Sequence, residues 1–186
     1  MRAGVTLSIP IFAVAMLAQQ AQQTQMSNPM QSAQQPMSMS TSGQEPLVKT
    51  IQQGTFNTPP NLPGCFTQVV ERGDPRTGPY IAFVKLASGC TLPWHWHTAN
   101  EDLMFTSGTG QFQAKGQQPQ TVSEGAYVSM PSRHQHQLAC PSGCSFYLTR
   151  DGAADIHYVD AAGNEISPET ALTAFGERPV KVVSAR

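Results

Sequence analysis

Apolar and polar residues alternate over short distances along much of this chain, and the alternating segments are rich in β-branched and aromatic side chains. Glycine, proline, serine and asparagine separate the segments, as is typical of strands joined by tight turns. The segments are residues 66–71, 80–87, 102–106, 110–114, 126–130 and 145–150. Because so many short strands leave edges that must be covered, the pattern predicts an all-β domain closed into a barrel or a double sheet.

One segment near the C-terminus has a helical pattern. Residues 168–175 begin with Pro168 and Glu169, and continue with apolar residues that share one face of a helix. We therefore expect a short helical or irregular tail after the strands.

The first residues resemble a secretory signal peptide. A short basic start, Met1-Arg2, precedes a largely apolar run over residues 5–17, and small residues suitable for cleavage lie near Ala18. The run is shorter than the roughly 20 residues that a membrane span requires. A single arginine argues against the twin-arginine export route. We assign residues 1–18 to a signal peptide and expect a periplasmic or secreted protein that is not inserted in the membrane after cleavage.

Residues 19–46 consist almost entirely of Gln, Ser, Met, Ala, Pro and Thr, a composition that predicts a disordered linker. Four methionines in it could bind copper(I), but their irregular spacing and the lack of a nearby histidine favour a compositionally biased linker. They are Met26, Met30, Met37 and Met39. The remaining residues, 47–186, form one domain of ordinary size.

The chain contains four cysteines, Cys65, Cys90, Cys140 and Cys144. An even number of cysteines in an exported chain indicates disulfides, and three pairings are possible. A bridge between Cys140 and Cys144 across the turn-forming residues 141–143 would leave Cys65 to pair with Cys90. Metal binding by these cysteines is disfavoured because no Cys-x-x-Cys pair occurs.

Four of the five histidines fall in two short stretches. His95 and His97 are separated by one residue, so on an extended segment their side chains point to the same side. Glu101 follows after three residues, and His136 comes five positions after Pro131. Imidazole and carboxylate groups that converge in this way predict a transition-metal site.

These residues resemble the two sequence motifs of the cupin superfamily. The first motif has a glycine, five residues, His-x-His, three or four residues, a glutamate, six residues and a glycine, and residues 89–108 match every position. The second motif is matched at Gly125, Pro131 and His136. The resemblance covers about residues 47–160 and implies a single jelly-roll cupin β-barrel. It also implies one divalent transition metal ion held by four residues: His95, His97, Glu101 and His136.

The second motif departs from the usual pattern in two places. Arg133 stands where glycine is usual, and Cys140 stands where asparagine is usual. An irregularity at Arg133 could shift the strand register and present His134 to the metal instead of His136. The spacing from Pro131 favours His136 as the ligand, with His134 as a neighbour of the ligands or a contact to the substrate.

Three other residues of this region have structural interpretations. Trp94 and Trp96 alternate with the two histidines, so we expect them to face away from the metal and to pack in the sheet or core. His157 lies beside Tyr158, far from both motifs, and is interpreted as a hydrogen-bonded structural group.

The resemblance implies a metal site but not one reaction, because cupins with this ligand set include dioxygenases, oxalate-degrading enzymes, isomerases, lyases and proteins without a known reaction. We expect an oxygenase-like enzyme for a small organic or phenolic compound, in which Glu101 is a ligand and, if it dissociates, a general base. The alternative is a non-catalytic module that binds a metal or small ligand. Tyr80, Tyr127, Gln111 and Arg150 are candidate polar groups of the pocket, but strand alternation does not show which of them point inward.

Export also bears on the metal and the partners. A chain that crosses the membrane unfolded takes up its metal outside the cytosol, where the affinity order favours copper and zinc over iron and manganese. An enzyme that depends on reduced iron is disadvantaged in an oxidising compartment, so among Cu, Zn, Ni, Mn and Fe we expect one of the first four. The net charge of −1, without a basic stripe, argues against nucleic acid. The expected partner is a small-molecule substrate or ligand, and a homodimer stays open.

We predict that the mature chain begins between about residues 16 and 22, because a signal peptidase would cut after the apolar run. Amino-terminal sequencing of protein recovered from the exported fraction measures this directly. A soluble cytosolic pool with an intact Met1 would contradict the export prediction.

Overall fold

The structure is a computed structural model, and it describes residues 46–181. Residues 1–45, for which we predict the signal peptide and nearly all of the linker, lie outside the described part. Within residues 46–181, no helix is both long enough and apolar enough to cross a membrane.

The described chain consists mainly of strands, which confirms the predicted all-β class. A short 3₁₀ helix, Ile51–Gln53, precedes the strands, and one α-helix, α1 (Pro168–Thr173), follows them. The strands are β1 (Phe66–Gly73), β2 (Tyr80–Leu86), β3 (Cys90–Trp96), β4 (Glu101–Ala114), β5 (Gln120–Ser123), β6 (Tyr127–Met130), β7 (His136–Cys140), β8 (Cys144–Arg150) and β9 (His157–Tyr158).

All the strand pairs are antiparallel, and the sheet runs in the order β1-β2-β8-β4-β7-β3-β9, with β5 and β6 also paired to β4. The first part of β4 pairs with β8 and β6, whereas its second part pairs with β7 and β5. This one strand therefore belongs to both halves of the curled sheet. The jelly-roll topology expected from the sequence is confirmed.

The sequence pattern divided β4 into two strands, residues 102–106 and 110–114, because Gly108 and its small neighbours looked like a turn. In the structure β4 is continuous, with a register irregularity between Phe105 and Ser107 and a positive φ of 74° at Gly108. A Cβ at Gly108 would collide with the carbonyl oxygen of Gly143, so this close backbone crossing requires glycine.

Two strands, β3 and β7, are not among the six segments that the pattern of β-branched and aromatic residues indicated, although an extended segment was expected at His95 and His97. β3 contains Pro93 and two histidines, and β7 reads His-Gln-Leu-Ala-Cys. Both strands are nevertheless placed by their mutual pairing, in which Cys90 lies opposite Cys140 and His95 opposite His136. Pairing and burial therefore outweigh the weak intrinsic strand propensity of these segments.

One hydrophobic core lies between the two halves of the sheet, and both halves contribute to it. Alternate residues of β2 point into it, namely Tyr80, Ala82, Val84 and Leu86. From the other half it receives residues such as Leu92 and Leu138. A second, smaller cluster forms where Ala171 and Leu172 of α1 pack against Tyr158.

The helix begins where the sequence predicted and ends two residues earlier. The Ser167 hydroxyl caps it by accepting a hydrogen bond from the Thr170 backbone N–H (3.1 Å), and Pro168 occupies the first turn. The helix ends at Thr173, and Phe175 is half exposed. Only Ala171 and Leu172 are buried, so further helical turns would bring no additional burial.

Two disulfides join the four cysteines as Cys65–Cys90 and Cys140–Cys144. The first ties the residue before β1 to the start of β3, and the second closes the turn between β7 and β8. Because Cys90 lies opposite Cys140, both bridges lie at the same end of the β3–β7 pair. The prediction of disulfides is confirmed.

We predict that the two bridges contribute unequally to stability. Replacing both Cys65 and Cys90 by serine releases a loop of sequence separation 25, whereas the Cys140/Cys144 pair closes a separation of only 4. Chain entropy then predicts losses of about 3.5 and about 2 kcal/mol in the free energy of unfolding. Urea unfolding of the two double variants measures the difference, and a larger loss for the Cys140/Cys144 pair would contradict the prediction.

Candidate metal centre

Three buried histidines form a cluster inside the barrel. His95 lies on β3, His97 follows the end of that strand, and His136 begins β7 directly opposite His95. Their ring donor atoms lie within 4.8 Å of one another, and each residue is at most 4% exposed. His95 and His97 therefore lie on the same side of the chain, as strand alternation predicted. The pairing of β3 with β7 brings His136 to them.

Each imidazole is oriented by its own Nδ1 atom, which donates to a main-chain carbonyl oxygen. The acceptors are Pro93 for His95 (2.6 Å), Asp155 for His97 (2.6 Å) and His134 for His136 (2.9 Å). This pattern assigns the proton to Nδ1 and leaves each Nε2 with a lone pair, as in histidines that bind metals. Within residues 46–181, the buried Nε2 of His136 has no hydrogen-bond partner. The three histidines therefore fit a transition-metal ion.

Either His134 or His136 could have pointed toward the other two histidines, and the structure places His136 there. His136 joins the cluster, whereas His134 is exposed and contributes only its carbonyl oxygen to the orientation of His136. Arg133, which replaces the usual glycine, adopts a positive φ of 62°, and its N–H donates to the His97 carbonyl oxygen (2.7 Å). The arginine thus adopts the left-handed conformation that glycine favours, and the register does not shift.

Glu101 is also buried beside the cluster, at the start of β4. One carboxylate oxygen lies 3.3 Å from Nε2 of His136, and the other lies 3.5 Å from Nε2 of His97. Among the described residues, however, the donor atoms that all lie within 4.8 Å of one another belong to the three histidines and do not include those of Glu101. The coordination by these four residues stays a prediction.

A buried ion pair holds Glu101 in place. Arg150 of β8 lies opposite Glu101 in the strand pairing and donates to its Oε1 from both Nε (3.1 Å) and Nη2 (2.5 Å). Nη2 also lies 2.8 Å from Nε2 of His97, and Nη1 donates to the Asp155 carbonyl oxygen (2.8 Å). From the sequence, Arg150 was expected only as a candidate pocket residue, and its pairing with Glu101 was not predicted.

Burial and charge set the protonation of this site. Burial lowers the pKa of His97 from 6.5 to about 3 and lowers the pKa of His95 well below its usual value. Burial alone would raise the pKa of Glu101, but Arg150, His97 and His136 hold that pKa well below its usual value. Near neutral pH His95 and His97 are therefore neutral and Glu101 is ionised, the forms that bind metal ions.

A cavity of about 310 Å³ opens onto the histidines, and its lining is mainly apolar. Of the four polar candidates, Tyr80 and Arg150 line it. Tyr127 instead is 64% exposed and donates to Asp102, and Gln111 is exposed and donates to Thr121. The cavity also contains Gln68, which the sequence analysis missed. Gln68 lies two residues after the apolar Phe66 on β1, so strand alternation puts both side chains on the same face. This alternation could have indicated that Gln68 points inward.

The residues interpreted as structural lie outside the histidine cluster. Trp94 and Trp96 are half-buried, and the Trp96 ring stacks on His157 at 3.9 Å between centroids, with the Arg133 guanidinium 5.0 Å from the Trp96 ring. His157 lies 3.3 Å from carboxylate oxygens of both Asp155 and Glu165. These contacts agree with packing and hydrogen-bonding roles.

Comparison with known proteins identifies the fold. Residues 82–149 match the family model of a cupin domain. The structure resembles an RmlC-like cupin from Shewanella frigidimarina (14% identity, 60% of this chain, 95% of that chain, TM-score 0.51). It also resembles an acetylacetone dioxygenase from Acinetobacter johnsonii (20% identity, 71% and 91%, TM-score 0.51).

A third similar structure is the DMSP lyase DddQ from Ruegeria pomeroyi, with 16% identity and a TM-score of 0.50. The alignment covers 57% of this chain but only 61% of the lyase. None of the curated proteins matches the sequence. At these identities the structural similarities concern the fold and not the reaction.

We predict that the metal-free protein becomes less stable as the pH falls from about 7 to about 5. Because His97 titrates near 6.5 when unfolded and near 3 when folded, the unfolded chain binds the extra proton. Stability from this group is therefore complete above pH 6.5 and is lost as the pH falls. The expected slope is about 1.4 kcal/mol per pH unit for each such histidine.

Urea unfolding of chelator-treated protein at several pH values measures this slope. Glu101 contributes little in this window, since a carboxyl group with a usual pKa of 4.5 stays ionised there in the unfolded chain. A His97→Gln variant is the control. Its free energy of unfolding should change less with pH than that of wild type, by the amount that corresponds to about one proton, or about 1.4 kcal/mol per pH unit. A stability that does not change between pH 7 and 5 would contradict the burial of neutral histidines.

Proposed function

We propose that this single-domain cupin protein binds one divalent transition metal ion and uses it as an oxygenase-like enzyme for a small organic or phenolic compound. The ion would be held by Nε2 of His95, His97 and His136 and by the Glu101 carboxylate. The observation that carries this proposal is the convergence of three imidazole Nε2 atoms, each with a lone pair, at a mainly apolar cavity. An enzymatic role for a cupin fold is also supported by its similarity to the acetylacetone dioxygenase fold.

The donor set suits copper, zinc, nickel, manganese or iron, and loading outside the cytosol favours the first four. When bound, a divalent ion supplies Lewis acidity and open positions at which a substrate oxygen is polarised. The chain's own contribution is to orient the imidazoles through Nδ1 and to keep water scarce around the reacting groups. Apolar side chains such as Leu92, Phe112 and Leu138 line the cavity and serve the second purpose.

Arg150 determines which roles Glu101 can fill. A carboxylate paired with a buried guanidinium stays ionised, and its lowered pKa makes it a weak general base. We therefore assign Glu101 to metal binding, with Arg150 as the residue that positions it. Proton abstraction by Glu101 requires that Arg150 first moves away.

One observation favours the alternative, a non-catalytic module that binds a metal or small ligand. The Nη2 atom of Arg150 lies against Nε2 of His97, so a metal ion and the guanidinium need the same lone pair. A protein that binds a small ligand through the cavity alone would not need to separate these groups.

The proposed location is the periplasm or the extracellular space, with a small molecule as the partner. Two disulfides support this proposal, because disulfides persist in oxidising compartments.

We predict that alanine at His95, His97, Glu101 or His136 weakens metal binding by more than about 100-fold, a loss larger than that typical of residues that only support a ligand. Elemental analysis and equilibrium dialysis of the purified variants measure this. His134→Ala is the matched control and should keep its metal, because its side chain is exposed and its carbonyl oxygen remains.

Unchanged metal content in His95→Ala would refute the ligand assignment. If His134→Ala loses the metal and His136→Ala does not, the strand register is wrong. Oxygen uptake with a panel of phenols, diketones and small acids separates the two functions. A metal-filled protein without uptake would favour the binding module, whereas uptake that chelation stops would support the enzyme.

A further inference from the structure

A glutamine lies in the wall of the cavity with no partner for its amide. Gln68 of β1 is 5% exposed and lines the cavity that contains the histidines. Its backbone pairs with Asn57, but its side chain makes no hydrogen bond to any residue within 46–181. Among the described residues, Nε2 of His136 is the one fully buried side-chain polar atom without a partner. The Gln68 amide therefore reaches the open space of the cavity, where water or a ligand satisfies it.

A tyrosine in the same cavity has the same property. Tyr80 of β2 is also 5% exposed, and its hydroxyl has no hydrogen-bond partner in the described part of the chain. It lies opposite Arg150 in the strand pairing, and Arg150 lies opposite Glu101. Tyr80 therefore belongs to the level of the barrel at which the carboxylate of the metal centre lies.

The two unpaired groups lie at different depths. Gln68 pairs with Val84, which is four residues from Tyr80 along β2. Four residues of strand separate the two backbone levels by about 13 Å, so the two polar groups meet different parts of a ligand in the cavity. The intervening inward residues of β2 and β8 are apolar, namely Ala82 and Leu148.

The charges of the site restrict what Gln68 can bind. The donors of Arg150 are engaged by Glu101, His97 and the Asp155 carbonyl. The other arginine at the cavity, Arg76, pairs with Asp74 and is largely exposed. Because neither of the two arginines that line the cavity is free to neutralise a carboxylate at Gln68, a neutral oxygen group is the matching partner.

We propose, on the basis of the proposed function, that Gln68 and Tyr80 bind two oxygen groups at opposite ends of the substrate. The substrate is a small molecule with an apolar middle, one oxygen group near the metal centre beside Tyr80, and a second, neutral carbonyl or hydroxyl group at Gln68. The two residues orient this molecule in the cavity and exclude analogues that lack either oxygen.

The first test compares each residue with a hydrogen-bonded residue of the same type. Gln68→Met and Tyr80→Phe remove polar groups without a partner, so both should leave stability unchanged or raise the folding equilibrium constant about threefold to tenfold. Gln137→Met and Tyr158→Phe remove groups that donate to Gln113 (2.9 Å) and to the Asn61 carbonyl (3.0 Å). These controls should lower the same constant by a similar factor. Urea unfolding of the metal-free proteins measures it.

The second test uses 4-hydroxyacetophenone with acetophenone and 4-ethylphenol, each of which lacks one of its two oxygen groups. Metal-free wild type should bind the bifunctional compound about tenfold more tightly than either analogue in calorimetric titrations. Gln68→Met and Tyr80→Phe should each remove the preference over one analogue. The metal content of both variants should equal that of wild type.

Two kinds of result would overturn the inference. One is a loss of stability in Gln68→Met or Tyr80→Phe as large as in its control, which would show a structural role. The other is a wild type that binds none of the three compounds or does not distinguish them. Both tests use metal-free protein, so failure of metal binding in the histidine variants would refute the proposed function and leave this inference intact.

Discussion

Three hydrogen bonds from imidazole Nδ1 atoms to main-chain carbonyl oxygens determine what the cavity of this protein can do. They orient His95, His97 and His136 and place three buried Nε2 lone pairs together. Since burial also keeps the pKa of His95 and His97 low, these two rings stay neutral well below neutral pH. The backbone of β3 and β7 thereby positions the imidazoles so that they can act together as metal ligands.

The disulfides and the histidine cluster lie at opposite ends of the β3–β7 strand pair. In the β3–β7 pair, Cys90 faces Cys140 at one end and His95 faces His136 at the other, about 17 Å apart along the strand. Both disulfides lie at the cysteine end. The histidine end carries the buried ion pair of the cavity, Glu101–Arg150. Buried charges are unfavourable there, and the covalent links at the other end offset part of that instability.

The departures from the sequence motif have local physical explanations. Arg133 replaces a glycine and keeps the left-handed backbone, and its side chain lies over the Trp96 ring, a cation–π contact that compensates part of the backbone strain. Cys140 replaces an asparagine and forms a disulfide with Cys144. Neither change moves His136 out of the cluster, because strand pairing with β3 and β4 holds the register.

Residue spacing in the sequence was sufficient for the all-β class, for two histidines on one side of a strand and for the presence of disulfides, because each depends on local alternation or on counting. The continuity of β4, the ion pair between Glu101 and Arg150, and the inward positions of Gln68 and Tyr80 depended on the tertiary structure. Alternation along a strand shows which residues share a face, but only pairing with distant strands decides which face is buried and which side chains meet across it. Glu101 and Arg150 are 49 residues apart in sequence, and only the antiparallel register of β4 and β8 brings them together.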